Sequence, residues 1–127
     1  HADPVTSAEE IISFQQLVRM VPIADSVARY AIDLVRATRP TDSTAPDFVM
    51  KYVNFGASVR GIQNIVLAAK ARALLHRRYH VTYDDVAALL VPVLRHRILL
   101  NFHAESDKLT QDHILKRILE AKPAPRS

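Results

Sequence analysis

The sequence contains no cysteine, which excludes a disulfide framework and any zinc site built on thiolates. That lack suits a reducing cytoplasm, the expected location. Only two of the 127 residues are glycine, too few for a turn-rich β protein. No apolar run approaches the roughly 20 residues that a membrane helix needs, so no membrane association is expected. The opening "HADPVTSAEE" is polar and is not a signal sequence. It lacks an initiator Met, and the chain reads as an excised piece of a longer protein. Acidic residues are absent between Phe48 and Tyr83, whereas Lys51, Arg60, Lys70, Arg72, Arg77 and Arg78 all fall there. Such a block implies a nearby anion: a phosphate, nucleic acid, or an acidic face of another domain or protein.

What is present is apolar periodicity. Hydrophobic residues make up 49%, enough for a modest core in one domain over residues 1–127. Their spacing of three to four predicts helices throughout. The form "SAEE" predicts a capping box and a helix start at Ser7, with Ile11, Phe14, Leu17, Val18 and Val21 as its stripe and Pro22 as its end. A second helix is predicted over 24–38, burying Val27, Tyr30, Ala31, Leu34 and Val35. "RPTDSTAPD" follows, and residues 39–47 are expected to form a mobile loop. The longest helix is predicted over 58–79, capped by Ser58, with Ile62, Ile65, Val66, Ala69 and Ala73 inward. Thr82 and Asp85 predict a cap for the next helix, and Pro92 predicts a break near 91. A short helix through "VLRHRILLNF" and a last one from Thr110 complete the expectation. The last buries Ile114, Leu115, Ile118 and Leu119. The fold class is all-α, a compact bundle of five to six helices, with residues 1–6 and 122–127 as flexible tails.

Both glycines lie in "FGASVRGIQN", five residues apart. This is the frame of a phosphate-binding loop, but Ile62 and Gln63 stand where Lys and Ser or Thr are required. The stretch reads instead as a loop arriving at a helix N-terminus, where free N–H groups favour anions. Arg60 falls in the first turn and can reach a phosphate laterally. Other candidates carry less weight. His76 and His80 have the i, i+4 spacing of helical metal ligands, but Arg77 and Arg78 would repel a cation and no third ligand is near; no metal site is expected. "LRHR" at 94–97 is either a basic contact or a solvated face. Arg39 reads as satisfying the carbonyls that end the second helix, and Tyr30 reads as core.

The run "GASVRG" resembles the Gly-Ala-Ser-Pro-Arg-Ala sensor 2 motif of the MoxR family of AAA+ ATPases. "VPIADSVARYAIDLVRATR", "VTYDDVAALLVPVLRHRILLNF" and "DKLTQDHILKRILEAKPAP" are similar to that family's lid segments, in the same order. Val59 and Gly61 depart from the motif's usual Pro and Ala. The resemblance implies a C-terminal helical lid that closes over ATP with Mg held mainly by an N-terminal α/β subdomain. It implies that Arg60 is the sensor 2 arginine, contacting the γ-phosphate, and that Gly56, Ala57 and Ser58 shape its approach. It also implies chaperone-like remodelling, the core subdomain as partner in cis, neighbouring subunits of a hexameric ring, and von Willebrand factor A domain proteins as further partners. Lacking the phosphate-loop Lys and a Walker B strand, residues 1–127 are not expected to hydrolyse ATP alone. The alternative is a helical nucleic-acid-binding module using the basic face of residues 60–78, in which Arg60, Gln63, Lys70 and Arg77 recur. Against it, the long loop before that helix lacks helix-turn-helix spacing.

Overall fold

In the computed structural model, which describes residues 4–125, the chain runs α1 (Pro4–Met20), α2 (Asp25–Ala37), α3 (Asp47–Tyr52), β1 (Val53–Phe55), α4 (Val59–Leu75), α5 (Tyr83–Leu94), β2 (Leu99–Leu100), α6 (Phe102–Ser106) and α7 (Gln111–Ala121). The all-α class holds, with seven helices among the described residues because two short ones join the five long ones. Leu34 and Val35 of α2, Ile65 of α4, Leu90 and Leu94 of α5, and Ile114 and Ile118 of α7 are fully buried together. Ala69 and Ala73 keep α4 close to its neighbours, which suits the position of α4 at the centre of the bundle.

Several local expectations are corrected. α1 starts at Pro4, not Ser7, so residues 4–6 are helical. Proline fits a first turn because its missing N–H is not needed there. The expected capping box involves the Ser7 side chain, which lies outside the described residues. Within the α1 stripe Val18 is buried, and so is Val21 just past the helix end, but Ile11 and Leu17 are exposed. Among the described residues α1 packs mainly on α4, which leaves part of its apolar stripe exposed.

Pro92 does not break α5, which continues to Leu94. Proline leaves unpaired the carbonyl four residues earlier, at Ala88. Ala88 is exposed, so that carbonyl lies on the side of α5 that water reaches. The segment beyond is not one helix. It turns at 95–97, pairs Leu99–Leu100 antiparallel to Val53–Phe55, and caps α6 through Asn101 Oδ1, which accepts from the Ala104 N–H at 3.2 Å. The Asn101 amide also donates to the Lys51 carbonyl at 2.7 Å, tying α6 to the end of α3.

Residue 47 of the loop expected over 39–47 is the first of α3, and within the rest Asp42 gathers several hydrogen bonds. Asp42 accepts from Thr44 N–H at 2.9 Å, from the Thr44 hydroxyl at 2.6 Å and from Arg36 Nε at 3.0 Å. The Thr44 bonds, with help from Arg36, hold the Asp42 carboxyl well below the usual carboxylate range.

α4 ends at Leu75 rather than 79. Arg78 N–H donates to the Ala73 carbonyl at 2.8 Å, and Arg77 N–H to Leu74 at 3.0 Å. This is a Schellman closure with Arg77 in the left-handed region at φ 59°. An L side chain there costs about 1 kcal/mol, a cost glycine avoids. Arg77→Gly is therefore expected to raise stability by roughly 0.5–1 kcal/mol, read as a higher urea midpoint. A lower midpoint would show that the Arg77 side chain stabilises the fold by more than its backbone strain costs.

Candidate functional site

The glycine stretch joins β1 to α4 and rests on the end of α2. The Ala57 N–H donates to Thr38 Oγ1 at 3.0 Å, and that hydroxyl donates to the Val35 carbonyl at 2.6 Å. Arg39 Nε donates to the Ala57 carbonyl at 2.8 Å. Both backbone groups of Ala57 are thus taken by two consecutive residues of α2's C-terminal end. The expectation that Arg39 satisfies the terminal carbonyls of its own helix holds for its N–H, which donates to the Arg36 carbonyl at 3.0 Å, but not for its guanidinium, whose partner lies 18 residues along the chain.

Gly56 is needed here for proximity, not for its dihedral freedom. No glycine has positive φ. A Cβ on Gly56 would lie 2.4 Å from the Thr38 carbonyl oxygen and 2.7 Å from Arg39 Cα. These are backbone atoms, so they cannot step aside as a side-chain end can. Gly61 is also buried; a Cβ there would meet Leu94 Cδ2 at 3.1 Å and Ala57 Cβ at 3.2 Å. The departure from the motif's alanine therefore goes with a tight seat of α4's first turn on α5.

Ser58 occupies the N-cap position with extended backbone, but its hydroxyl makes no cap bond. The Ser58 carbonyl accepts from Gly61 N–H at 2.9 Å, closing the first turn. The N-terminus of α4 therefore has no side-chain acceptor of its own. Arg60 is exposed and makes no hydrogen bond or ion pair among the described residues. Of the four residues expected at the site, Gly56 and Ala57 turn inward as a locked base. Ser58 and Arg60 remain facing solvent.

The basic block divides in two. Asp85, fully buried, accepts from Arg72 at 2.6 Å and from both terminal nitrogens of Arg78 at 2.5 Å. It also accepts from Thr82 N–H at 2.9 Å and receives the reciprocal cap, Asp85 N–H to Thr82 Oγ1, at 3.2 Å. Burial pushes the Asp85 carboxyl up, but the Arg78, Thr82 and Arg72 bonds outweigh it and hold it well below the usual carboxylate range. The capping box was legible in the sequence; the double arginine clamp was not. The acid-free run ending just before Asp84 and Asp85 was the available signal. The anion that serves Arg72 and Arg78 is therefore internal.

The other candidates disperse. Arg77 lies past the end of α4, so the proposed face of Arg60, Gln63, Lys70 and Arg77 is not continuous. His76 is the C-cap of α4 and His80 lies beyond the turn, so the two are not one helical turn apart. In "LRHR", Leu94 is core, Arg95 pairs with Asp112 at 3.0 Å, and His96 and Arg97 are exposed. Tyr30 is buried and meets the Tyr83 ring edge-on at 5.5 Å. Burial, then the Asp84 charge, raises its hydroxyl above the ordinary tyrosine value.

The arrangement is a helical bundle whose central helix α4 begins with an exposed arginine that makes no hydrogen bond or ion pair among the described residues. Residues 48–118 match the sequence model of the AAA lid domain. The chain is 31% identical over 125 residues to the Chaperone MoxR1 of Mycobacterium tuberculosis, covering 94% of this chain and 33% of that protein. It is 38% identical over 80 residues to the Protein MoxR of Paracoccus denitrificans, covering 60% of this chain and 24% of that one. A crystal structure of a protein from Cytophaga hutchinsonii, proposed to be an ATPase, superposes with a TM-score of 0.80 at 31% identity, over 87% of this chain and 34% of the other. The chain belongs to the AAA lid domain family and is the lid of a MoxR-type AAA+ ATPase. It spans about a third of the length of the curated relatives that it matches most fully.

Proposed function

We propose that this lid closes over ATP held mainly by an α/β subdomain, and that Arg60 senses the γ-phosphate. The observation that carries the reading is Arg60 itself: a permanently charged guanidinium, exposed and without a partner among the described residues, at the N-terminus of the central helix α4, which has no side-chain cap bond. That donor set fits a phosphate. The helix start offers free N–H groups and a partial positive charge, and Arg60 adds a fork of donors. When bound, the nucleotide with its Mg supplies the anion and the bond to be broken. This chain's residues bind and orient. A contact made with ATP but not with ADP lets the nucleotide state bias the lid angle. The same contact stabilises charge as the phosphoryl group leaves.

The lid angle would then drive chaperone-like remodelling of partner proteins. This part draws on the word "chaperone" in the name of the mycobacterial relative. A hexameric ring, with neighbouring subunits and von Willebrand factor A domain proteins as partners, belongs to the same reading. Arg60→Ala in the intact ATPase is expected to lower hydrolysis by about tenfold or more, with the fold retained by circular dichroism. Unchanged turnover in a folded variant would overturn the assignment.

A further inference from the structure

We infer that Thr38 and Arg39 are positioning residues for Arg60, fixing the sensor to the C-terminal end of α2 so that the two move as one body. This rests on the proposed role of Arg60. Three observations at one junction support it. Thr38 Oγ1 accepts from the Ala57 N–H and Arg39 Nε–H donates to the Ala57 carbonyl, so the peptide groups flanking Ala57 are held from both sides. Gly56 brings the loop onto the Thr38–Arg39 backbone with no room for a methyl group. Thr38 is fully buried, and its hydroxyl makes both of its bonds to backbone, so the side chain has a single available geometry.

Ala57 is three residues before Arg60, separated from it only by Ser58 and Val59, the N-cap and the first helical residue. No side chain braces this N-cap from within α4. The brace comes from α2 instead. A displacement of Ala57 is transmitted through two residues to the Arg60 Cα. Catalytic contacts of this kind lose about a hundredfold for a misplacement near 1 Å. Charge recognition at Arg60 thus depends on two contacts that touch no substrate: the Thr38 hydroxyl and the Nε–H of the Arg39 guanidinium.

The test uses the intact ATPase. Turnover and the affinities for ADP and for a non-hydrolysable ATP analogue are measured in Thr38→Val, Thr38→Ser, Arg39→Ala and Arg60→Ala. Thr38→Val and Arg39→Ala are also each combined with Arg60→Ala. Thr38→Val and Arg39→Ala are each expected to lower kcat about tenfold and to erode the preference for the ATP analogue, with ADP affinity within about twofold of wild type. Thr38→Ser keeps the hydroxyl and is expected to restore both. Each double variant is expected to be no worse than Arg60→Ala alone, because the positioning residues act only through that side chain. Multiplicative losses in the doubles, or parallel losses of ADP and ATP-analogue affinity, would overturn the inference and leave Thr38 and Arg39 as structural residues. Arg39→Ala removes a part-buried contact of a residue outside the core, so it reports even if Thr38→Val fails to fold. A harmless Arg60→Ala would instead sink the sensor reading itself.

Discussion

Asp85→Ala is expected to destabilise the protein by about 3 kcal/mol, read by urea unfolding. Asp85 is the acid that bonds both Arg72 and Arg78, with the Asp84 charge acting on Arg78 from nearby, and it also caps α5 through Thr82. Removing one partner of a buried charge cluster leaves the other charges uncompensated. The figure sits at the low end of the range because the arginine side chains are about a third exposed and can recover water. Asp85→Asn keeps an acceptor for Thr82 and loses only the charge, so it is expected to cost less. The pH dependence has a definite sign. The folded carboxyl titrates below the unfolded one, so its contribution is complete above the ordinary carboxylate value, near pH 4. It is lost as pH falls below that value toward the folded one. An Asp85→Ala variant as stable as wild type at neutral pH would contradict the clamp.

Gly56→Ala is expected to cost about 3–5 kcal/mol and to depress ATP turnover in the intact enzyme as well. A methyl group 2.4 Å from a backbone carbonyl oxygen forces α2 and the loop apart. Overpacking accounts for about 1–3 kcal/mol. The bonds from Thr38 and Arg39 to Ala57 add about 1 kcal/mol each when they stretch. Stability and turnover should fall together, in contrast to Arg60→Ala, which should leave stability alone because Arg60 is exposed and makes no hydrogen bond or ion pair among the described residues. Unchanged unfolding in Gly56→Ala would mean that the junction is looser than its distances indicate.

The long amphipathic elements were legible because each buries a stripe at helical spacing. Val27, Tyr30, Ala31, Leu34 and Val35 are all inside, as are Ile114, Leu115 and Ile118. The place of Arg60 in the first turn of α4, just after the N-cap position of Ser58, was legible. Short elements were not. α3 has six residues and β2 has two, too few for any period to show. Phe55 and Leu99 of the ladder are exposed, so no alternation marks the strands. Pro92 misled because its effect depends on whether the carbonyl it orphans can reach water. The α2–loop junction was hidden for a different reason. "ATR" and "GAS" were each visible as motifs, but their contact spans 18 or 19 residues and is made by backbone groups, which carry no residue signature.

The most direct measurement is the affinity of the intact ATPase for a non-hydrolysable ATP analogue and for ADP, in wild type and Arg60→Ala. A charge-assisted contact to the γ-phosphate predicts an ATP-analogue affinity about ten- to a hundredfold weaker in the variant. ADP affinity should stay within about twofold, since no contact to it is removed. Equal weakening of both nucleotides, or of neither, would contradict a lid that reads the γ-phosphate through Arg60.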